Sequence, residues 1–229
     1  MEKIDVLDHG FVRLVESMGS DLSVTRAARV SYDAAWRAGE DEGSDARLIR
    51  YLWKNRHTSP FEAVEFQFEV KAPIFVFRQW HRHRTWSFNE LSARYRELPE
   101  EFYIPHPAQI GVQSTSSKQA RDIEETDGRV LVDRRIEASM MRQHCEQAFS
   151  LYRELLRKGW PRELARSVLP VNTYSHMFAK IDLRNLLGFF DLRLDPHAQF
   201  EIRVFASAMR DLASVVAPVS IGAWEASRQ

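Results

Sequence analysis

The densest chemistry in the chain lies at residues 79–96, QWHRHRTWSFNELSARYR. Arg82, His83, Arg84, Arg94 and Arg96 gather there around Ser87, Asn89, Glu90 and Ser92, with Trp80, Trp86 and Phe88 between them. An arginine fork matches phosphate oxygens in pairs, and a serine hydroxyl adds a donor to the same oxygens. A carboxylate among arginines fixes their orientation or accepts from a sugar hydroxyl, and the aromatics can stack on a base or ring system. With residues 90–96 extended, alternate side chains share a face. Glu90, Ser92, Arg94 and Arg96 then fall on one side, and Leu91, Ala93 and Tyr95 on the other. That row is what a nucleotide site needs, in a chain with no GxGxxG and no GxxxxGK[ST]. Two other readings stay open on these residues alone: arginines paired with the chain's own acids on a solvated surface, and a patch for single-stranded nucleic acid.

The totals favour a small anion. The chain has 229 residues and a formal net charge of zero, so the basic cluster is local and balanced elsewhere. A general nucleic-acid binder usually carries a broad basic surplus. An apolar fraction of 44% can build a real core, and no Gly/Ser/Pro-rich linker divides the chain, so residues 1–229 are expected to form one domain. The N-terminal stretch MEKIDVLDHGFVRL is mixed in charge, unlike a signal peptide. No apolar run is long enough to span a bilayer, and the expectation is a soluble cytoplasmic protein.

The elements that must position the cluster follow from periodicity. Ser44 or Asp45 can cap a helix to about residue 56, followed by a turn at His57-Thr58-Ser59-Pro60. Val64, Phe66, Phe68 and Val70 alternate with Glu65, Gln67, Glu69 and Lys71, which predicts a half-buried strand. Pro73 suits the first turn of a helix to Trp80. Residues 105–128 are polar and aperiodic, which predicts a long surface loop. A long helix is predicted over 132–158, with Ile136, Met140 or Met141, Cys145, Phe149, Tyr152 and Leu156 as its apolar seam. A short helix at 161–168, a strand at 173–182, a short helix at 183–190 and a longer one at 199–216 complete the outline. Helices and strands mix without regular alternation, so the class is α+β.

The remaining reactive side chains read as structural. Cys145, the single cysteine, sits on a predicted apolar seam, which fits core packing and not the electropositive, accessible setting of an activated thiolate. Ser92 lacks a GxSxG elbow and, with arginines crowding its face, reads as a ligand for phosphate or pyrimidine. The histidines are scattered, with no HExxH or comparable spacing, so no metal is expected. His81 reads as a surface residue.

Arg82-His83-Arg84, seven residues, then Ser92 resembles the signature of the flavin-dependent thymidylate synthases. An ordered set of further segments is similar to that family: Ala28-Arg29-Val30-Ser31-Tyr32, His57-Thr58-Ser59-Pro60-Phe61-Glu62, Lys71-Ala72-Pro73-Ile74-Phe75-Val76 with Arg78-Gln79-Trp80, Ala165-Arg166-Ser167-Val168-Leu169-Pro170, Asp191-Leu192-Arg193 and His197-Ala198-Gln199. The resemblance implies an α+β fold, a central and mostly antiparallel sheet flanked by helices, and a homotetramer with shared active sites. It implies methylation of dUMP to dTMP, with methylene-tetrahydrofolate as carbon donor, NADPH as electron source and FAD carrying the hydride. By matching position, Gln79, Arg82, Glu90, Ser92, Arg94, Arg166 and Arg193 resemble the dUMP set, with Ser92 and Arg94 at the phosphate and Arg193, the catalytic candidate, near the uracil. Ser59, Arg82, His83, Arg84, Glu90, Asp182, Arg184 and Gly188 resemble the FAD set. The chain departs from the family at Ala63, where a histidine is usual, and at Asp182 and Gly188, where asparagine is frequent. A nucleotide- or flavin-binding homologue without synthase activity is the alternative those departures raise.

Overall fold

A computed structural model of the chain describes residues 3–123 and 128–228. Its strands are β1 (Lys3–Val6), β2 (Gly10–Met18), β3 (Glu65–Pro73), β4 (Ser87–Glu90), β5 (Val112–Gln113), β6 (Arg121–Asp122) and β7 (Tyr174–Asp182). Its helices are α1 (Asp21–Arg29), α2 (Glu42–Lys54), α3 (Ile74–Trp80), α4 (Gly128–Arg157), α5 (Arg162–Ala165), α6 (Leu183–Arg193), α7 (Phe200–Val216) and α8 (Pro218–Ala226).

Five strands form one sheet in the order β1-β2-β3-β7-β4, every neighbour antiparallel. The expected α+β class and antiparallel sheet are therefore what the chain builds. β3 pairs with β7 along its whole length, from Glu65 opposite Asp182 to Pro73 opposite Tyr174. The alternation in β3 has the expected consequence: Phe66, Phe68, Val70 and Ala72 are buried on one face. That face packs into the main core with Leu186, Phe189 and Phe190 of α6 and Ile202, Phe205 and Met209 of α7. Each such side chain contributes about 1.5–3 kcal/mol by leaving water. The opposite face carries a ladder of charges. Lys180 contacts Glu65 at 2.9 Å, and Glu69 receives both His176 at 2.9 Å and Arg13 at 3.1 Å. On the core side the start of β2 lies so close to its neighbours that a Cβ on Gly10 would sit 2.6 Å from the Val6 carbonyl, 2.7 Å from that of Lys71 and 2.9 Å from the Phe205 ring. Only glycine fits that approach.

Several local expectations are corrected. The cap of α2 is Asp41, whose Oδ1 accepts from Ser44 N at 3.0 Å, so the helix starts earlier than Ser44 or Asp45 suggested. Pro73 is not in the first turn of α3 but is its cap residue and the end of β3. The 105–128 segment is not structureless: a 3-10 turn at Pro107–Gln109 and the β5–β6 pair occupy it, while residues 124–127 lie outside the described residues. The seam of α4 is buried only in its second half. Cys145, Phe149 and Tyr152 join Phe102 and Ala165 in a second, smaller core, whereas Val132, Ile136 and Met140 stand exposed. With 30 residues α4 is about 45 Å long at 1.5 Å per residue.

The N-terminal hairpin, α1 and α8 lie beyond the elements the sequence pattern gave. Ser20 caps α1 in a reciprocal box with Ser23. Asp21 then accepts from Val219 N and Ser220 N at 2.8 and 2.9 Å, tying the start of α8 back to α1.

Candidate functional site

The site is built where α3 ends, α6 ends and β4 begins. Arg193 closes α6, and its guanidinium is held from two directions. Nε donates to His83 Nε2 at 2.8 Å, and Nη2 donates to the Gln79 carbonyl at 3.3 Å. Nη1 has no hydrogen-bond partner among the described residues. His83 sits edge-on to Phe189 at 4.8 Å. Burial first, and the Arg193 charge second, push its pKa down to about 4. Near pH 7 the imidazole is therefore neutral and its Nε2 is a lone-pair acceptor. The pair carries one positive charge, on Arg193, even though burial pulls that group's pKa below its ordinary value.

The Gln79 side chain makes a separate set of bonds. Its Nε2 donates to Gln199 Oε1 at 2.5 Å, and Gln199 Nε2 donates to Glu201 Oε2 at 2.8 Å. Glu201 is 2% exposed, and its Oε1 also receives Tyr103 OH and Arg121 Nη2, both at 3.1 Å. Burial and the adjacent Glu201 push the Tyr103 pKa up, so the phenol stays a donor. A buried carboxylate satisfied by three donors thus fixes one amide, which fixes the next. Gln199 and Glu201 did not stand out as site residues in the sequence. The signal was Glu201 at a buried position of α7, four residues before Phe205.

The arginine stretch does not run as expected. β4 ends at Glu90, and a turn follows in which Ser92 O accepts from Tyr95 N at 3.0 Å and Arg96 N at 3.3 Å. Tyr95 is 81% exposed, so it lines no packed face. Ser92 Oγ accepts from Arg94 N at 3.3 Å inside that turn. The turn nonetheless meets Arg166: Glu163 ion-pairs with Arg94 at 3.2 Å, and its main-chain oxygen accepts from Arg166 Nε at 3.3 Å. Arg94 and Arg166 are both exposed. Glu90, at the end of the edge strand, accepts from Ser175 Oγ at 2.7 Å.

The aromatic expectation also changes. Trp80 and Trp86 are buried, stacked against Phe189 at 5.1 Å and edge-on to it at 5.3 Å. They cannot stack on a ligand, and they form instead the apolar wall that carries His83. Phe88 is half-buried, and His81, expected at the surface, packs on it at 4.8 Å.

On α6 a separate stripe faces outward. Arg184 and Gly188, one turn apart, are exposed, and a Cβ on Gly188 would meet nothing within 4 Å. Arg184 Nε donates to Thr58 Oγ1 at 3.3 Å, which brings α6 beside exposed Ser59. Asp182 is the cap of α6: its two oxygens accept from Asn185 N at 2.9 Å and Asn185 Nδ2 at 2.6 Å. Arg82 and Arg84 are exposed and make no side-chain hydrogen bond or ion pair with any described residue. No group of three or more His, Cys, Asp or Glu suited to a metal occurs among the described residues.

Comparison with known proteins bears on all of this. A family model described as thymidylate synthase complementing protein matches residues 13–219. The chain is 47% identical over 222 residues to a flavin-dependent thymidylate synthase of Thermus thermophilus, covering 97% of this chain and 78% of that one. It is 46% identical over 228 residues to that of Gluconobacter oxydans, covering 98% and 73%. A crystal structure of a UMP/dUMP methylase, PolB from Streptomyces cacaoi, bound with 5-Br dUMP, superposes with a TM-score of 0.83 at 39% identity and 97% coverage of both chains.

Proposed function

The chain belongs to the thymidylate synthase complementing protein family, the flavin-dependent thymidylate synthases, and on that premise we propose how its own residues divide the work. It is an enzyme that methylates dUMP in a flavin-dependent reaction. The finer reading is that methylene-tetrahydrofolate donates the carbon and NADPH the electrons. Then dUMP, methylene-tetrahydrofolate, NADPH and a proton give dTMP, tetrahydrofolate and NADP⁺. We place the reaction in the cytoplasm, in a homotetramer with shared sites, for which the exposed Val132, Ile136 and Met140 of α4 offer an apolar surface.

The observation that carries the reading is the fixed guanidinium of Arg193. His83 accepts from Nε and the Gln79 carbonyl from Nη2, which leaves Nη1 for a ligand oxygen. A permanent positive charge beside a uracil favours ionisation at N3 and polarises the ring toward attack. Because His83 is neutral, it does not compete for that role. Gln79, oriented through Gln199 and Glu201, presents its remaining amide atoms to the base. Ser92, Arg94 and Arg166 take the phosphate once Glu163 releases Arg94, and Arg82 and Glu90 border both ligands.

FAD fits the remaining residues. Arg82 and Arg84 are cations without described partners, suited to a pyrophosphate. The bare helix face at Gly188 admits a flat ring, since no side chain or neighbour fills it. Ser59, His83, Glu90 and Arg184 border the same region, while Asp182 acts through the cap it gives α6. When bound, FAD supplies hydride transfer to the pyrimidine.

The test is direct. Protein loaded with FAD and desalted should keep a flavin spectrum and form dTMP only when dUMP, methylene-tetrahydrofolate and NADPH are all present. A retained flavin with no dTMP under those conditions would sink the reading.

A further inference from the structure

A cavity of about 720 Å³ opens between the end of α2, the end of α6 and α8. None of the residues given roles above lines it. Its lining carries four cations, Arg50, Lys54, Arg56 and Arg228, against one carboxylate, Asp191. That carboxylate is already engaged: its Oδ1 accepts from Trp224 Nε1 at 2.8 Å and from Arg228 Nη1 at 3.4 Å. Arg50, Lys54 and Arg56 make no side-chain hydrogen bond or ion pair with any described residue. Three exposed cations thus line one cavity with no acid of the described chain bonded to them, and their free donors face an anion that enters it.

Arg56 adds an independent observation. It takes φ of 61°, in the left-handed region, where the chain closes α2 by bonding His57 N to Leu52 O at 2.9 Å. Glycine is the usual residue at that position because a side chain there is strained. Strained positions of this kind cluster at ligand sites. The wall opposite is small, Gly222, Ala223 and Ala226, and Trp53 adds an indole surface. The volume lies in the range of small-molecule sites.

The cavity adjoins the flavin face. Arg56 precedes His57 and Thr58, and Thr58 holds Arg184. Asp191 follows Gly188 by three residues on α6. With the flavin on the Gly188 face as proposed above, a reductant reaching it has this basin within reach of its charged end. We propose that the basin binds the adenosine-phosphate end of a phosphorylated nicotinamide dinucleotide, with its 2′-phosphate taken by Arg50, Lys54 and Arg56. This rests on the reading of NADPH as electron source.

The experiment uses FAD-loaded protein in two arms. Calorimetric titration with 2′,5′-ADP should show binding to the wild type, with 5′-AMP much weaker. Arg56→Gly and Lys54→Ala should each weaken 2′,5′-ADP about tenfold, the size of one lost charge-assisted hydrogen bond. Arg56→Gly relieves the strained backbone, so its melting temperature should not fall, which separates lost binding from lost folding. In anaerobic flavin reduction the same variants should raise the KM for NADPH about tenfold and leave that for NADH and for dUMP unchanged. Unchanged NADPH parameters, or equal changes for NADPH and NADH, would overturn the assignment. Loss of flavin on desalting would give the basin to FAD itself, and a raised KM for methylene-tetrahydrofolate alone would give it to the folate's carboxylates. If wild-type protein with bound flavin and dUMP does not oxidise NADPH at all, the reductant assignment fails first, and the basin proposal with it.

Discussion

Arg193 and Arg166 are the same residue type held in opposite ways. Arg193 is half-buried and bonded through Nε to His83 and through Nη2 to the Gln79 main-chain carbonyl, which the α3 backbone holds in place. Arg166 is exposed, and among the described residues one bond to the Glu163 main chain orients it. The comparison fits the two tasks proposed for these residues. A charge that must act on a developing transition state is set in advance, so no reorganisation is needed when reaction occurs. A charge that captures a phosphate can stay solvated and mobile, because the dianion itself orders it.

The largest expected effect breaks the ordered side. Arg193→Ala should lower kcat about 10²–10³-fold at saturating dUMP, the usual loss for one preorganised electrostatic contact. Arg193→Lys should not restore it, because an ammonium cannot donate to His83 and the Gln79 carbonyl in the fixed directions of a guanidinium. Unchanged turnover in the alanine variant would remove Arg193 from the chemistry. Glu201→Gln attacks the same side from behind. The amide leaves Arg121 without its counter-charge and sets a donor against Tyr103 or Gln199. Chemical denaturation should show a loss of about 2–3 kcal/mol, and the KM for dUMP should rise through Gln79.

On the exposed side, Arg166→Ala should raise the KM for dUMP about tenfold with kcat nearly unchanged, the pattern of lost uniform binding. The effect should shrink as salt rises, because the site is exposed. If kcat falls as much as kcat/KM, the contrast between the two arginines is wrong.

His83 supplies a pH test of the ordered side. Its folded pKa of about 4 lies below the ordinary 6.5. Between those values the unfolded chain binds more protons, so stability should fall as pH drops from 6.5 toward 4. His83→Gln should flatten that part of the stability profile. The smallest effect is Gly188→Ala. A Cβ there meets no neighbour, so the protein without flavin should gain about 0.5–1 kcal/mol from the stiffer helix. Weaker flavin retention in the same variant would mark that face as the ring's resting place.

The sequence by itself determined the period-two pattern of β3 and the strand character of β7. Apolar side chains at alternate positions can be buried only by an extended chain with one wet face. It also determined that Cys145 is packed and not reactive, since its neighbours at helical spacing are apolar. Order and spacing of the arginine motifs carried the family. Tertiary structure decided what no spacing contains. Trp80 and Trp86 looked free to stack on a ligand, yet α6 folds back over them and Phe189 occupies their faces. The run after Glu90 looked extended, yet β7 offers it no partner beyond Glu90 and the chain turns. The first half of α4 keeps Val132, Ile136 and Met140 exposed. Arg193 bonds His83 and the Gln79 carbonyl, and the Gln79 side chain bonds Gln199, each pair more than a hundred positions apart. Hydrogen bonds act over about 3 Å, so only the packing of α3 against α6 and α7 could bring those partners into range.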